Sequence, residues 1–218
     1  MMDRTTIKRA VSLAVIRQAI ESREGFFVPV AVTNRHVHLS AADLAILFGS
    51  GYQLQVRRPA IQPGQFICEE QVTFAGPKGK IEKIRVLGPV WPETHVELNW
   101  SDTIRVGIAP AIRIPGNLEG TPGGRLIGPA GEVQLARGVM VAARHLHMSD
   151  EEAGWFGLKD GDLVKIRKNG ERAIVFENIV VRVGKAHALE LHIDIDEANA
   201  AGIECGELLE ICQGQGAK

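Results

Sequence analysis

Apolar residues change their spacing along this chain, and the change marks out its elements. In residues 5–22, TTIKRAVSLAVIRQAIES, they recur at helical spacing. Ile7, Val11 and Ala14 share one face; Leu13, Ile16 and Ile20 share the next. Thr5 or Thr6 can cap this helix. Two readings stand for it: a first helix laid on the core, or an interaction and targeting helix. Beyond it, β-branched and apolar residues come in short runs bounded by turn residues. FFVPVAVTN and GVMVAAR read as strands, and QVTFAGPKGKIEKIRVL and GRLIGPAGEVQLARG as hairpins bent at Gly-Pro-Lys-Gly and Gly-Pro-Ala-Gly. DLVKIRKNGERAIVFENIVVRV reads as a third hairpin with a two-residue turn at Asn169-Gly170. Short helices are expected at SAADLAILFG, at SDEEAGWFG and at 196–202. Ser40 and Ser149 can cap the first two, each with an acidic residue three places on, Asp43 or Glu152.

The order of these elements repeats. NRHVHLS at 34–40 returns as ARHLHMS at 143–149, each after an apolar run and before a capped helix ending in Phe-Gly. The expected fold is mostly β (α+β): two pseudo-symmetric small β-barrels capped by short helices, from an internal duplication, packed face to face. The expected segments are an extension at 1–26, a first half at 27–108, a Pro/Gly-rich connector at 109–124, a second half at 125–210 and a tail at 211–218.

The repeat carries chemistry. On a strand, residues i and i+2 face the same way. His36 and His38 therefore project together, as do His145 and His147, and two imidazoles so placed can ligate one metal ion. A catalytic zinc takes three protein ligands and keeps one position open. Aligning VELNWSDTIRVGI with LHIDIDEANAAGI on their shared Gly-Ile sets Glu97 opposite His192. Two zinc sites follow, each built from one His-x-His and either Glu97 or His192; the spacing leaves open which third ligand joins which pair. His95 lies two residues before Glu97, as a ligand or as a partner of one. His187 is expected at a strand edge.

Composition narrows the class further. A formal net charge of −1 argues against a general nucleic-acid surface. Cys68, Cys205 and Cys212 form no Cys-x-x-Cys pair, which fits a reducing cytoplasm and not a disulfide scaffold. No apolar run reaches membrane-spanning length, so no membrane partner is expected. The chain has no Walker motif, no Gly-x-Gly-x-x-Gly before a helix and no Ser-His-Asp pattern with a nucleophile elbow. Lys78, Lys80, Lys83 and Arg85 cluster on one hairpin, a setting for an anionic cofactor.

NRHVHLS, QPGQF, EEQVTFAGPKGKIEKIRVLGP, LEGTPG, ARHLHMS, FGLKDGD and ALELHIDIDEANAAGI together resemble the PduL-type phosphate acyltransferases, over about residues 28–205. The resemblance implies two β-barrels with two zinc ions at their junction, and exchange of the thiol of coenzyme A for phosphate: acyl-CoA and phosphate giving acyl phosphate and CoA. It implies zinc ligands at His36, His38, Glu97, His145, His147 and His192. It also implies coenzyme A contacts at Ala31, Val32 and Thr33, at Lys78 and Arg85, and at Asn199. One position departs: Trp91 stands where the family has a phosphate-binding arginine, and Arg35 or Arg144, each beside a metal ligand, are the candidates to replace it. The resemblance further implies a cytoplasmic enzyme, packaged within a bacterial microcompartment if residues 5–22 contact shell or core proteins; a homo-oligomer is compatible. The rival readings are a dinuclear zinc hydrolase of thioesters or acyl phosphates, and an impaired or purely structural zinc-binding microcompartment component.

Overall fold

The computed structural model describes residues 4–212. The chain opens with helix α1 (Arg4–Glu21) and strands β1 (Phe27–Thr33) and β2 (His36–His38), then α2 (Ala41–Phe48), β3 (Val56–Pro59), β4 (Phe66–Ala75) and β5 (Lys80–Gly88). β6 (His95–Glu97), α3 (Trp100–Val106), β7 (Ile112–Arg113), β8 (Gly124–Ile127), β9 (Glu132–Leu135) and β10 (Val139–Ala142) follow. The remainder is β11 (His145–Met148), α4 (Asp150–Phe156), β12 (Leu163–Lys168), β13 (Ile174–Val183), β14 (Glu190–Asp194), α5 (Ile195–Ala201) and β15 (Leu208–Ile211). Strands hold 40 % of the residues and helices 21 %, so the fold is mostly β with short helices, as expected.

Two compact units result. One gathers the chain up to Thr33, Arg144–Ile193 and the residues from Glu197 onward; the other is Asn34–Ala143 with Asp194–Asp196. The first unit is a closed barrel in the order β1-β14-β11-β13-β12-β15. Its core holds Val28, Leu146, Ile166, Ile179, Val181 and Leu191, all buried. α1 belongs here: Ile16 is fully buried in this core, and Leu13 and Ile20 pack beside it. Ile7, Val11 and Val15 stay exposed, because a helix on a barrel buries only one stripe. The expected cap at Thr5 or Thr6 lies outside the side chains described, and residues 213–218 of the expected tail lie outside the described residues.

The second unit is a nine-stranded half-barrel, β7-β10-β6-β2-β5-β4-β8-β9 with β3 on β4. Val37, Phe74, Ile84, Val86, Val96 and Leu126 fill its core. The units interleave in sequence, unlike the expected halves at 27–108 and 125–210. β1 pairs antiparallel with β15, Phe27 facing Glu210, and so supplies the strand that closes the barrel. β8 pairs with β4, Thr73 facing Ile127, which draws the 124–135 hairpin into the half-barrel.

The duplication is visible in topology. β2 lies between β5, parallel, and β6, antiparallel. β11 lies in the same way between β13, parallel, and β14, antiparallel. The hairpins expected from sequence form as β4–β5, β8–β9 and β12–β13. The last differs at its tip: five residues, 169–173, separate its strands, where a two-residue turn at Asn169-Gly170 was expected. The tip runs on past Gly170 because Ala173 N–H closes a turn on the Gly170 carbonyl and Arg172 Nε donates to the Ala200 carbonyl.

Candidate metal centre

The register of two strand pairs places the donors. In the half-barrel His36 stands opposite Glu97 and His38 opposite His95. In the barrel His145 stands opposite His192 and His147 opposite Glu190. Directly opposed residues on an antiparallel pair share a face, with Cβ atoms about 5 Å apart. One donor group therefore forms in each unit: His36, His38 and Glu97, and His145, His147 and His192. Within each group the donor atoms lie within 4.8 Å of one another. Glu97 thus joins the first motif and His192 the second, an assignment the spacing alone had left open.

The helices after these strands explain why the Gly-Ile alignment worked. Gly107 and Gly202 are both left-handed, at φ 76° and 63°, each just past a helix end. The next amide, Ile108 or Ile203, donates back to the carbonyl of Thr103 or Ala198, closing the helix C-terminus. Both isoleucines are buried. Each strand carrying a third donor therefore runs into a short helix stopped by the same motif. α3 itself was not expected from the sequence. Its signal was Asn99 at the N-cap with Asp102 three places on, whose Oδ2 accepts from Asn99 Nδ2 at 3.0 Å.

The arginine of each motif is committed to that helix. Arg35 Nη1 donates to both Asp102 oxygens, at 2.6 and 2.9 Å. Arg144 Nε pairs with Glu197, and its Nη1 donates to the Glu177 carbonyl at 2.9 Å. Asp102 and Glu197 stand five residues before Gly107 and Gly202, so the pairs are equivalent. Each clamps the start of a His-x-His strand to the helix following the third donor. Neither guanidinium is an unpaired anion site.

The serine caps form as expected. Ser149 Oγ accepts from Glu152 N–H, and Glu152 Oε2 accepts from Ser149 N–H at 2.9 Å. Ser40 Oγ accepts from Asp43 N–H, but Ser40 N–H goes to Thr94 Oγ1, which in turn donates to Asp43. Thr94 thereby ties the helix after the first motif to the approach of β6.

All seven histidines of the chain fall into the two clusters. His95 is buried; its ring stacks on His38 with centroids 4.7 Å apart. His187, expected at a strand edge, lies on the loop after β13 with its ring 4.4 Å from His147 and its Nδ1 donating to the Arg182 carbonyl. The Trp91 indole is 4.7 Å from the His38 ring and 4.8 Å from that of His95, so it forms an uncharged wall of the half-barrel cluster.

Electrostatics favour metal donors. His36 Nδ1 donates to the Asn34 carbonyl at 2.8 Å, leaving Nε2 towards Glu97 Oε2, 3.4 Å away. Burial works to lower the His36 pKa, but Glu97 and the Asn34 carbonyl outweigh it and raise it. Burial alone would raise Glu97, yet His36, His95 and His38 hold it well below the ordinary carboxylate range. Burial, then the neighbouring His36, pushes His38 down to about 3. Burial, followed by His192 and His145, lowers His147 as well. Both are thus neutral imidazoles with lone pairs available. Their Nδ1 atoms are buried without a hydrogen-bond partner, a cost of about 1–3 kcal/mol each unless a ligand meets them. Two imidazoles with a carboxylate, and three imidazoles, are donor sets that zinc takes. The residues present fit such an ion in each unit.

The residues expected to hold coenzyme A are divided between the units. Ala31, Val32 and Thr33 end β1, half-buried, with Thr33 Oγ1 donating to the Ile193 carbonyl at 3.1 Å. Asn199 is exposed on α5. Lys78 is exposed at the β4–β5 turn, its stem lying against Gly107. Arg85 stands opposite His36 in the sheet and donates to the Cys68 and Glu69 carbonyls. Of the clustered lysines, Lys80 pairs with Glu82 at 2.8 Å. No helix among the described residues is long and apolar enough to cross a membrane.

Comparison with known proteins places this arrangement. The sequence model of phosphate propanoyltransferase matches residues 29–204. The phosphate propanoyltransferase of Thermotoga maritima is 49 % identical over 185 residues, covering 84 % of this chain and 88 % of that protein. That of Rhodopseudomonas palustris is 46 % identical over 188 residues, 86 % of this chain and 83 % of its own. That of Salmonella typhimurium is 41 % identical over 192 residues, 88 % and 91 % respectively. A chain so matched over most of its own length and most of each relative's belongs to the phosphate propanoyltransferase family.

Proposed function

We propose that this protein is a zinc-dependent phosphate acyltransferase that interconverts a short-chain acyl-CoA and phosphate with the acyl phosphate and CoA. Family membership supports the acyl transfer. The observation that carries the zinc dependence is the pair of three-donor groups, each with a buried, unpartnered imidazole nitrogen. His36, His38 and Glu97, and His145, His147 and His192, would hold the zinc ions, which would supply Lewis acidity towards a thioester carbonyl and a departing thiolate. A phosphate oxygen bonds to the acyl carbon, the carbon–sulfur bond breaks, and CoA leaves as the thiolate.

Cys68 does not offer an acyl-enzyme route. Cys68 is fully buried, and burial, followed by Glu70, pushes its thiol up to about 11, so it is no nucleophile at neutral pH. Glu97, His192 and the two His-x-His strands supply the donors. Arg35 and Arg144 fix the starts of those strands through Asp102 and Glu197. Ala31–Thr33, Asn199, Lys78 and Arg85 are the proposed contacts to CoA, with Lys78 the exposed cation among them. The exposed row Ile7, Val11 and Val15 on α1 is the proposed contact for packaging in a microcompartment. Charging that row leaves Ile16 in the core and tests packaging apart from folding.

A second reading, hydrolysis of the same substrates by water, is favoured only by Trp91, which offers no charge to phosphate. One experiment separates the two. Full-length, zinc-loaded protein is mixed with CoA and acyl phosphates of graded chain length, and thioester formation is followed. Thioester that forms with zinc and stops on chelation supports the transferase. Acyl phosphate loss without thioester supports the hydrolase, and full transfer in chelated protein overturns the zinc dependence.

A further inference from the structure

In each unit the third donor is preceded, two residues earlier on the same strand, by a residue of the opposite chemical kind. β6 carries His95 and Glu97; β14 carries Glu190 and His192. The register puts His95 opposite His38 and Glu190 opposite His147, so the two occupy equivalent places. We propose that His95 and Glu190 are positioning residues that orient the third metal donor of their unit, Glu97 and His192. Each centre would then be surrounded by three strand-borne imidazoles and one carboxylate, with the inner and outer members of the last pair exchanged. This inference rests on the zinc reading above.

The half-barrel carries the argument furthest. His95 is 1 % exposed, and its Nε2 is buried without a hydrogen-bond partner. Its other nitrogen makes only a 3.4 Å contact with the Glu93 carbonyl. Nε2 lies 3.7 Å from Glu97 Oε1, while the other oxygen, Oε2, lies 3.4 Å from His36 Nε2. The two carboxylate oxygens thus face different imidazoles. With Oε2 facing His36, a metal held there would leave Oε1 to accept from His95 Nε2–H, which would satisfy both groups. His95 is poorly placed to be a fourth donor itself. Its ring is stacked on His38 with planes only 28° apart, whereas an imidazole binds an ion in its own ring plane, and two nearly parallel planes do not meet at bonding distance. The rings of His36 and His38 are 83° apart and can converge.

The barrel shows the exchanged pair already engaged. His192 Nε2 donates to Glu190 Oε2 at 2.8 Å. Glu190 is buried, and its carboxylate fixes the proton on that nitrogen, leaving the other with its lone pair. The exchange keeps one carboxylate beside each dication, which offsets the charge of an ion bound otherwise by neutral imidazoles.

The test uses the full chain, loaded with zinc or with cobalt(II) as a spectroscopic probe, and competition with a chelator to resolve the two ions. H95L removes the donor and keeps volume; H95Q keeps an N–H donor; E190L and E190Q do the same for the acceptor. H95L is expected to weaken one ion by roughly 10- to 100-fold and change its cobalt spectrum, leaving the second untouched. E190L does the reverse, and H95Q and E190Q stay within a few-fold of wild type. Unchanged affinities in both leucine variants overturn the proposal. So does loss of binding in a folded H95Q, or one fewer nitrogen ligand by X-ray absorption, since either makes His95 a direct ligand. Wild-type protein that binds no ion refutes the zinc reading instead, so the two failures are distinct.

Discussion

Arg35→Ala tests how the His-x-His strands are held. Arg35 Nη1 bonds both oxygens of Asp102, which is buried within α3 at 5 % side-chain exposure; the arginine is 32 % exposed. Removing one partner of a fully buried pair costs about 3–5 kcal/mol. Removing an exposed pair costs about 0–1 kcal/mol. Asp102 keeps its contact from Asn99 Nδ2 at 3.0 Å, so the carboxylate is not wholly stranded. The expected loss is intermediate, about 2 kcal/mol, equivalent to roughly 4–8 °C in melting temperature for a chain of this size. The assay is thermal unfolding of the metal-free protein, which excludes stabilisation by bound ion, for wild type, R35A, D102N and the double variant. The cycle should show a coupling of about 1 kcal/mol or more between Arg35 and Asp102. An additive cycle, with R35A melting where wild type does, would refute the clamp and return Arg35 to the list of free anion contacts.

Three further outcomes are expected. Trp91→Arg places a cation beside His38; a charge-assisted bond of about 1.5–3 kcal/mol would lower the KM for phosphate by roughly 10- to 150-fold, and steady-state kinetics with an unchanged KM would show that Trp91 does not limit phosphate use. Glu152→Ala strips the Ser149 and Leu189 amides of their acceptor, at 2.9 and 2.8 Å, and should destabilise the barrel by about 2–4 kcal/mol, read by denaturant unfolding, with Glu152→Gln recovering part of the loss. In metal-free protein the raised His36 contributes stability present below its unfolded value near 6.5 and lost as pH rises through its folded value, whereas the lowered Glu97 contributes stability present above about 4.5 and lost as pH falls through its folded value. Melting temperature against pH should therefore show a maximum in mildly acid solution that Glu97→Gln flattens, and identical profiles would count against the pair.

The sequence makes the donors legible because they are written twice. His36 and His145 lie in the same seven-residue frame, and Glu97 and His192 align because Gly107 and Gly202 stop equivalent helices. Which donor joins which pair depends on strand register, a long-range property that local spacing does not carry. Barrel closure was hidden for the same reason: β1 meets β15 from the opposite end of the chain. α3 escaped notice because Trp100 and Ile104 are apolar yet exposed, so NWSDTIRV lacks a clean buried stripe. The roles of Arg35 and Arg144 were not legible either, since their partners Asp102 and Glu197 lie far along the chain and only the fold brings them together.

Each unit is proposed to grip one zinc ion through a His-x-His pair and a third donor. Elemental analysis of the purified full-length protein tests it most directly, with wild type, His36→Ala and His145→Ala compared side by side. Two ions per chain in the wild type and one in each variant is the expected result. A wild type with no bound zinc, or variants that retain both ions, would contradict it.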